Sequence, residues 1–533
     1  MGCIIHIAVI ACVAVRTYAA GNAYPTVNLG YASYRGIHNE TSNTNEWYGI
    51  RYAQPPTGEL RFRAPQDIEV KNNYSTSQPM DATTVPPACV QGNPAWLPMS
   101  LAASGQATGQ EDCLVLNVLA PAGADPSSEL PVMVQIHGGG YTLGNTQAAP
   151  GNALVYQSNG GLIYVAIQYR LGAYGFLGGP EVLENGDANV GLLDQRAALL
   201  WVQRHIRTFG GDPSKVTIIG GSAGGGSVSD QMILYGGVPN PPFRGVIAEY
   251  PWWQPYHNDS ILSTQYNLLL DATNCSSIAC LRQLPADDLA NATQSTYITG
   301  YSLGRYGFGD FYYGPYVDGN VVRQLPSQEF KQGHFSQVAL LVNHELYEGY
   351  FESNMSQTTQ EDEIADMQKL FPYAKRSFIN KILELYPASN YNSTFFQRED
   401  WFGDFIVKCP TYYMATAVSD WGNSVYKLSF AAGAQTHGAI IPFTETTALN
   451  GTANNVTLAS IMRNWYISFA TDLDPNAASY TNVEKPYWPT YMNAQNGNFS
   501  VISVTDTTIS VVEDQDASAK CDYLHSQSYV VRN

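Results

Sequence analysis

The stretch VTIIGGSAGGGSVS, residues 216–229, constrains the fold more than any other part of the chain. A β-branched run leads into it and a helical pattern leaves it. Between them, Gly220-Gly221-Ser222-Ala223-Gly224 fits G-x-S-x-G. That combination marks a sharp strand-to-helix turn that holds a serine in a strained backbone conformation. Side chains two residues either side of the serine would collide there, and glycine at 220 and 224 removes them. The following helix aims its N-terminal amides at the serine, which favours a developing negative charge. A phosphate loop needs G-x-x-x-x-G-K-[ST], and no lysine follows these glycines. A dinucleotide fingerprint belongs on the first helix of its βαβ unit, with an acidic residue about 20 positions on. A flexible linker would not be flanked by a strand and a helix.

A second glycine cluster lies upstream, in VQIHGGGYTLG: His137, Gly138, Gly139, Gly140 and Tyr141. Acyl transfer needs backbone N–H donors aimed at a tetrahedral oxyanion. Glycine lets the backbone approach with no Cβ in the way. A strand ending in HGGG is the expected source of such donors, together with the amide after the nucleophile, Ala223.

The surrounding pattern predicts the fold class. LPVMVQI, GLIYVAI, KVTIIG, FRGVIAE and QVALLVN read as buried strands. DQRAALLWVQRHIRTFG reads as a helix with Ala197, Leu200, Trp201 and Ile206 apolar, and SVSDQMILYGG begins the next. Apolar strands alternating with helices imply an α/β fold with a mostly parallel sheet covered on both faces. Ligands bind at the carboxyl ends of strands in such folds.

The chain has 533 residues and a formal net charge of −18, a field that repels nucleic-acid phosphates and anionic headgroups. Residues 3–15 are mostly apolar, with Ala19 and Ala20 following. We read residues 1–20 as a cleaved secretory signal and 21–533 as one domain. The apolar run is too short for a membrane span of roughly 20 residues, and no later stretch reaches that length. Outside that segment six cysteines remain: Cys89, Cys113, Cys275, Cys280, Cys409 and Cys521. An even number in a secreted chain suggests three disulfides, although about 15 connectivities are open. Candidate glycosylation sites are Asn39, Asn73, Asn258, Asn291, Asn354, Asn392, Asn450, Asn455 and Asn498; Asn274, preceding Cys275, is a poor one.

With both glycine motifs in place, the chain resembles the type-B carboxylesterase/lipase group of α/β-hydrolases, which includes cholinesterases and fungal lipases. FGGDPSKVTIIGGSAG, EDCLVLNV, YGIRYAQPPTGELRFRAP, QYRLGAYGFLG and NVGLLDQRAALLWVQ carry the likeness, densest over residues 47–255. The resemblance implies an α/β-hydrolase fold with large insertions and a serine esterase that needs no metal or cofactor. Ser222 is the implied nucleophile. Glu348, in an E-G pair, is the implied acid, with Glu345 as its rival, and His437, in an H-G pair, is the base. Gly139, Gly140 and Ala223 form the oxyanion hole. The implied disulfides are Cys89–Cys113, Cys275–Cys280 and Cys409–Cys521, and the implied buried ion pairs are Arg61–Glu111 and Arg170–Asp194.

Tyr141, Trp252, Trp253 and Tyr256 are candidate pocket residues, and Trp96, Leu97, Met99 and Leu101 a short lid. The family usually has Glu before the nucleophile, where this chain has Gly221, and an acidic residue where it has Ile440. Both departures point away from cationic choline-type esters. The expected function is a secreted carboxylesterase acting on small-molecule or lipid esters. A lipase acting on acylglycerols, an acyl-transfer enzyme and an inactive adhesion protein on the same fold are the alternatives.

Overall fold

The longest apolar runs of the sequence become the inner strands of one large sheet. The computed structural model describes residues 24–70, 72, 74–97, 107–446, 454–492 and 499–533. The sheet has 11 strands: β1 (Ile37–Asn39), β2 (Thr44–Arg51), β3 (Val115–Pro121), β4 (Leu130–Ile136), β5 (Ile163–Ile167), β6 (Gly211–Gly221), β7 (Gly245–Glu249), β8 (Ala339–Glu345), β9 (Val425–Ala431), β10 (Ser500–Thr505) and β11 (Ile509–Glu513). Their spatial order is β11-β10-β9-β8-β7-β6-β4-β5-β3-β2-β1. Pairing is parallel from β10 through to β5 and antiparallel at both ends. Strands β5 and β7 are buried at every position. That is the pattern of a sheet whose two faces are both covered.

Helices α1 (Val190–His205), α2 (Ala223–Ile233), α3 (Cys409–Asp420) and α4 (Val456–Asp472) are among those that flank the sheet. Helix α1 departs from the expected stripe. Leu200 is 45 % exposed, whereas Leu192, Leu199, Trp201 and Val202 are buried. At 100° per residue, Leu192, Leu199 and Val202 share one face and Leu200 falls outside it. Helix α2 also starts four residues earlier than the sequence pattern suggests, so it includes Gly224, Gly225 and Gly226. These glycines are helical because the helix packs too tightly for side chains. A Cβ on Gly225 would sit 2.5 Å from the Glu249 carbonyl oxygen, and one on Gly226 would sit 2.3 Å from that of Trp252.

The three disulfides are Cys89–Cys113, Cys275–Cys280 and Cys409–Cys521. The last spans 112 positions. By chain entropy, a closure of that length stabilises the fold by about 4.7 kcal/mol. It ties α3 to the C-terminal segment. Arg61 meets Glu111 at 2.5 Å and Arg170 meets Asp194 at 2.7 Å, all four side chains buried. Removing one partner of such a pair costs about 3–5 kcal/mol.

Among the sequons, Asn291 and Asn392 are exposed. Asn258 and Asn455 instead cap helices through their side-chain oxygens. Asn73, Asn450 and Asn498 lie outside the described residues, as do residues 1–20, expected to be a signal segment, and Met99 and Leu101 of the expected lid. Among the described residues, no helix is long and apolar enough to cross a membrane.

Candidate active site

Ser222 sits where β6 ends and α2 begins, with φ 58° and ψ −127°. A non-glycine residue rarely adopts a positive φ, and this one is held by its surroundings. Its N–H donates to the Glu249 carbonyl at 3.1 Å, and its carbonyl accepts from Trp252 and Gly226 at 3.0 and 2.9 Å. The flanking glycines make the turn possible. A Cβ on Gly220 would meet the Gly224 carbonyl oxygen at 2.4 Å, and one on Gly224 would meet that of Ile136 at 2.1 Å.

The sheet order brings the other residues to the same edge. β8 and β9 are parallel neighbours, so the loops beyond their carboxyl ends run side by side. The Tyr347 N–H donates to the Gln435 carbonyl at 2.9 Å, clasping the two loops one and two residues from the site. As a result, His437 Nδ1 lies 2.5 Å from Glu348 Oε2, and His437 Nε2 lies 2.9 Å from Ser222 Oγ. Gly349 follows the acid because the chain there presses on a neighbour; a Cβ would meet the Glu399 carbonyl oxygen at 2.3 Å.

Electrostatics separates the two candidate acids. Burial opposes charge on both. At Glu348 the His437 ring, its hydrogen bond and the Glu345 N–H at 2.5 Å outweigh burial and hold the pKa below the ordinary value. Glu345 has burial and the Glu348 carboxylate acting together, and its pKa is pushed well up. Glu348 therefore faces His437 as the group that more readily ionises, while Glu345 accepts from the Ile440 N–H at 3.2 Å. Burial lowers the His437 pKa, but Glu348 more than compensates and raises it above 6.5.

Beyond β4, the glycine loop packs directly on the serine turn. A Cβ on Gly138 would lie 2.5 Å from the Gly221 carbonyl oxygen and 3.0 Å from Ser222 Cβ. Thr142 and Leu143 N–H groups close the loop by donating to the Gly139 carbonyl at 3.0 and 2.9 Å. Ala223 is the first residue of α2, where an amide has no partner within the helix. A cavity of about 260 Å³ opens over this group, with Ser222, His437, Gly138 and Gly139 in its lining.

Placement differs from expectation for the aromatic residues. Tyr141 is 1 % exposed and packs edge-on against Phe176, away from the cavity. Trp253 stacks on Phe330 and donates to Ser229 Oγ at 3.0 Å. Tyr256 is likewise buried, bonded to Asp230. Trp252 stands behind the site, its ring 5.7 Å from that of His437, and outside the cavity lining. Trp96 is buried, packs on Phe311, donates to the Asp310 carbonyl and lies outside the cavity lining.

The sequence reading missed Gln135, Tyr250, Glu249 and Glu445, all of which line the cavity. Gly221 does remove one carboxylate from beside the serine, yet two others reach the same space. The signal for Glu249 was its position at the end of a buried strand next to the one bearing Ser222. Nothing local marked Glu445.

A family model described as the carboxylesterase family matches residues 23–524. The chain belongs to the carboxylesterase family. This carboxylesterase is 32 % identical over 520 residues to secreted lipase 1 of Botryotinia fuckeliana (strain B05.10), covering 88 % of each chain. It is 28 % identical over 560 residues to the carboxylesterase patB of Penicillium expansum, covering 94 % of this chain and 95 % of the relative. Among solved structures, Aspergillus niger EstA superimposes with a TM-score of 0.84 at 28 % identity, over 96 % of this chain and all 100 % of EstA. The fold is that of the α/β-hydrolases, and the activity class is serine ester hydrolysis.

Proposed function

We propose that this carboxylesterase is a secreted, glycosylated, single-domain enzyme that hydrolyses small soluble esters through an acyl-enzyme. The observation that carries the reading is the unbroken hydrogen-bond chain from Ser222 through His437 to Glu348 at the cavity wall. Ser222 Oγ attacks the ester carbonyl as His437 Nε2 takes its proton. The N–H groups of Gly139, Gly140 and Ala223 hold the oxyanion. His437 then protonates the leaving alcohol, and Glu348 stabilises the imidazolium and fixes its tautomer. Water, deprotonated by His437, releases the acid.

A raised His437 pKa sets the acid limb of the pH profile. The base works only when neutral, so kcat/KM rises as pH climbs through the folded-state value. Its half-maximum is expected above pH 6.5, the ordinary histidine value. A half-maximum below that value would contradict the Glu348–His437 arrangement.

The preference for small esters rests on the cavity, whose 260 Å³ falls under the roughly 300–1,000 Å³ of drug-sized ligand pockets. Relatives named as secreted lipases favour a second reading, action on acylglycerols. A panel of p-nitrophenyl esters and a tributyrin titration separate the two. We expect kcat/KM to peak at acetate-to-butyrate length, with no rate jump as tributyrin passes its solubility limit. A sharp jump there favours the lipase.

A further inference from the structure

Ser222 and His437 line the cavity, with Glu348 buried against His437 and outside the lining. The same lining holds polar groups that the mechanism does not use. Gln135 from β4, Glu249 from the end of β7 and Glu445 all belong to it, and none is more than 2 % exposed. Cross-strand register places Gln135 beside Ile219 and Glu249 beside Gly221, so both project from one face of the sheet.

The two carboxyls act on each other's ionisation. Each also accepts a phenol: Tyr466 donates to Glu249 at 2.8 Å, and Tyr164 donates to Glu445 at 2.7 Å. Burial raises both pKa values, and the neighbouring Glu249 carboxylate raises Glu445 further. A like charge beside a buried carboxyl disfavours its ionised form, which favours a proton held between the pair. Gln135 carries an independent sign. Its side-chain oxygen is buried and has no hydrogen-bond partner. Leaving such a group unpaired costs about 1–3 kcal/mol, and a ligand that supplies the missing donor recovers it.

We propose that Gln135, Glu249 and Glu445 form a subsite for a hydroxyl group carried on the alcohol part of the ester. This rests on the esterase reading above. The alcohol part is the one that reaches the subsite because Tyr250 and Gly438, in the same lining, connect it to His437. The Tyr250 ring lies edge-on to His437 at 4.9 Å, and His437 returns its proton to the leaving oxygen. A hydroxyl both donates and accepts, which matches an unpaired carboxamide oxygen beside two carboxyl groups. An ammonium only donates, and it arrives with a far larger desolvation cost. Gly221 belongs to the same design. A Cβ there would lie 2.2 Å from the Tyr250 hydroxyl, so a side chain at 221 would displace the ring that joins the subsite to His437.

The test is a ratio of kcat/KM values for 2-hydroxyethyl butyrate and n-propyl butyrate, two esters of nearly equal shape. Because each variant is compared with itself, loss of folded enzyme cancels. We expect the wild type to prefer the hydroxyethyl ester by roughly tenfold, the yield of one well-placed hydrogen bond. Gln135→Met and Glu445→Gln should each bring the ratio close to unity. A wild-type ratio near one, or an unchanged ratio in Gln135→Met, overturns the subsite. Preference for butyrylcholine over the hydroxyethyl ester also overturns it, in favour of a cation site. p-Nitrophenyl butyrate separates the two levels of failure. If it is hydrolysed while the ratio is flat, the subsite alone falls; if it is not hydrolysed, the esterase reading falls and the subsite with it.

Discussion

Ser222→Ala should lower kcat for p-nitrophenyl butyrate by roughly five to six orders of magnitude, while urea unfolding stays close to the wild type. The size follows from what is lost. Without Oγ there is no covalent intermediate, and His437 has no proton to take. The fold survives because the turn is held by backbone bonds. The Ser222 N–H to Glu249 and the Trp252 N–H to Ser222 bonds do not involve the side chain. Substantial residual activity in a protein of unchanged stability would show that another nucleophile does the work.

Glu348→Gln should cost roughly 10⁴-fold in kcat. A neutral amide at that position cannot stabilise the imidazolium, and its NH₂ end would hold the wrong tautomer of His437. Glu345→Gln is the matched control. Glu345 lies three residues away, is equally buried and also bears a carboxyl group, but its pKa is raised, and it contacts the Ile440 N–H at 3.2 Å rather than the His437 ring. Its loss should stay within about tenfold, the range of one neutral hydrogen bond. The reverse order, with Glu345→Gln the more damaging, would reassign the acid. Steady-state kinetics on both variants checks this directly.

How much of this was legible in the sequence depends on how local each signal was. The serine turn was readable because its strand, its glycines and its helix are contiguous. The glycine loop at 138–140 was readable for the same reason. The acid and base were reached only through family resemblance, since 89 positions separate Glu348 from His437 and nothing in either segment declares their contact. Tyr141, Trp252 and Trp253 mark the limit of adjacency as evidence. They neighbour site residues in sequence, but the chain turns Tyr141 onto Phe176, Trp253 onto Phe330 and Trp252 behind His437. The cavity wall was the least legible part. Gln135, Glu249 and Glu445 come from three distant segments, and only strand register and the returning loop bring them together. The helix that follows Ser222 teaches a related lesson. Glycine lowers helix propensity by about 1 kcal/mol per residue, so three in succession read as loop. Close packing against the Glu249 and Trp252 carbonyls overrides that preference.

The central claim is that Ser222 carries the acyl group. Rapid mixing with p-nitrophenyl butyrate, acid quenching and peptide mass mapping measures it most directly. A burst of nitrophenol near one equivalent per enzyme is expected, with a butyryl group on the peptide containing Ser222. A burst with the label on another residue, or turnover with no labelled peptide at any quench time, would contradict that claim.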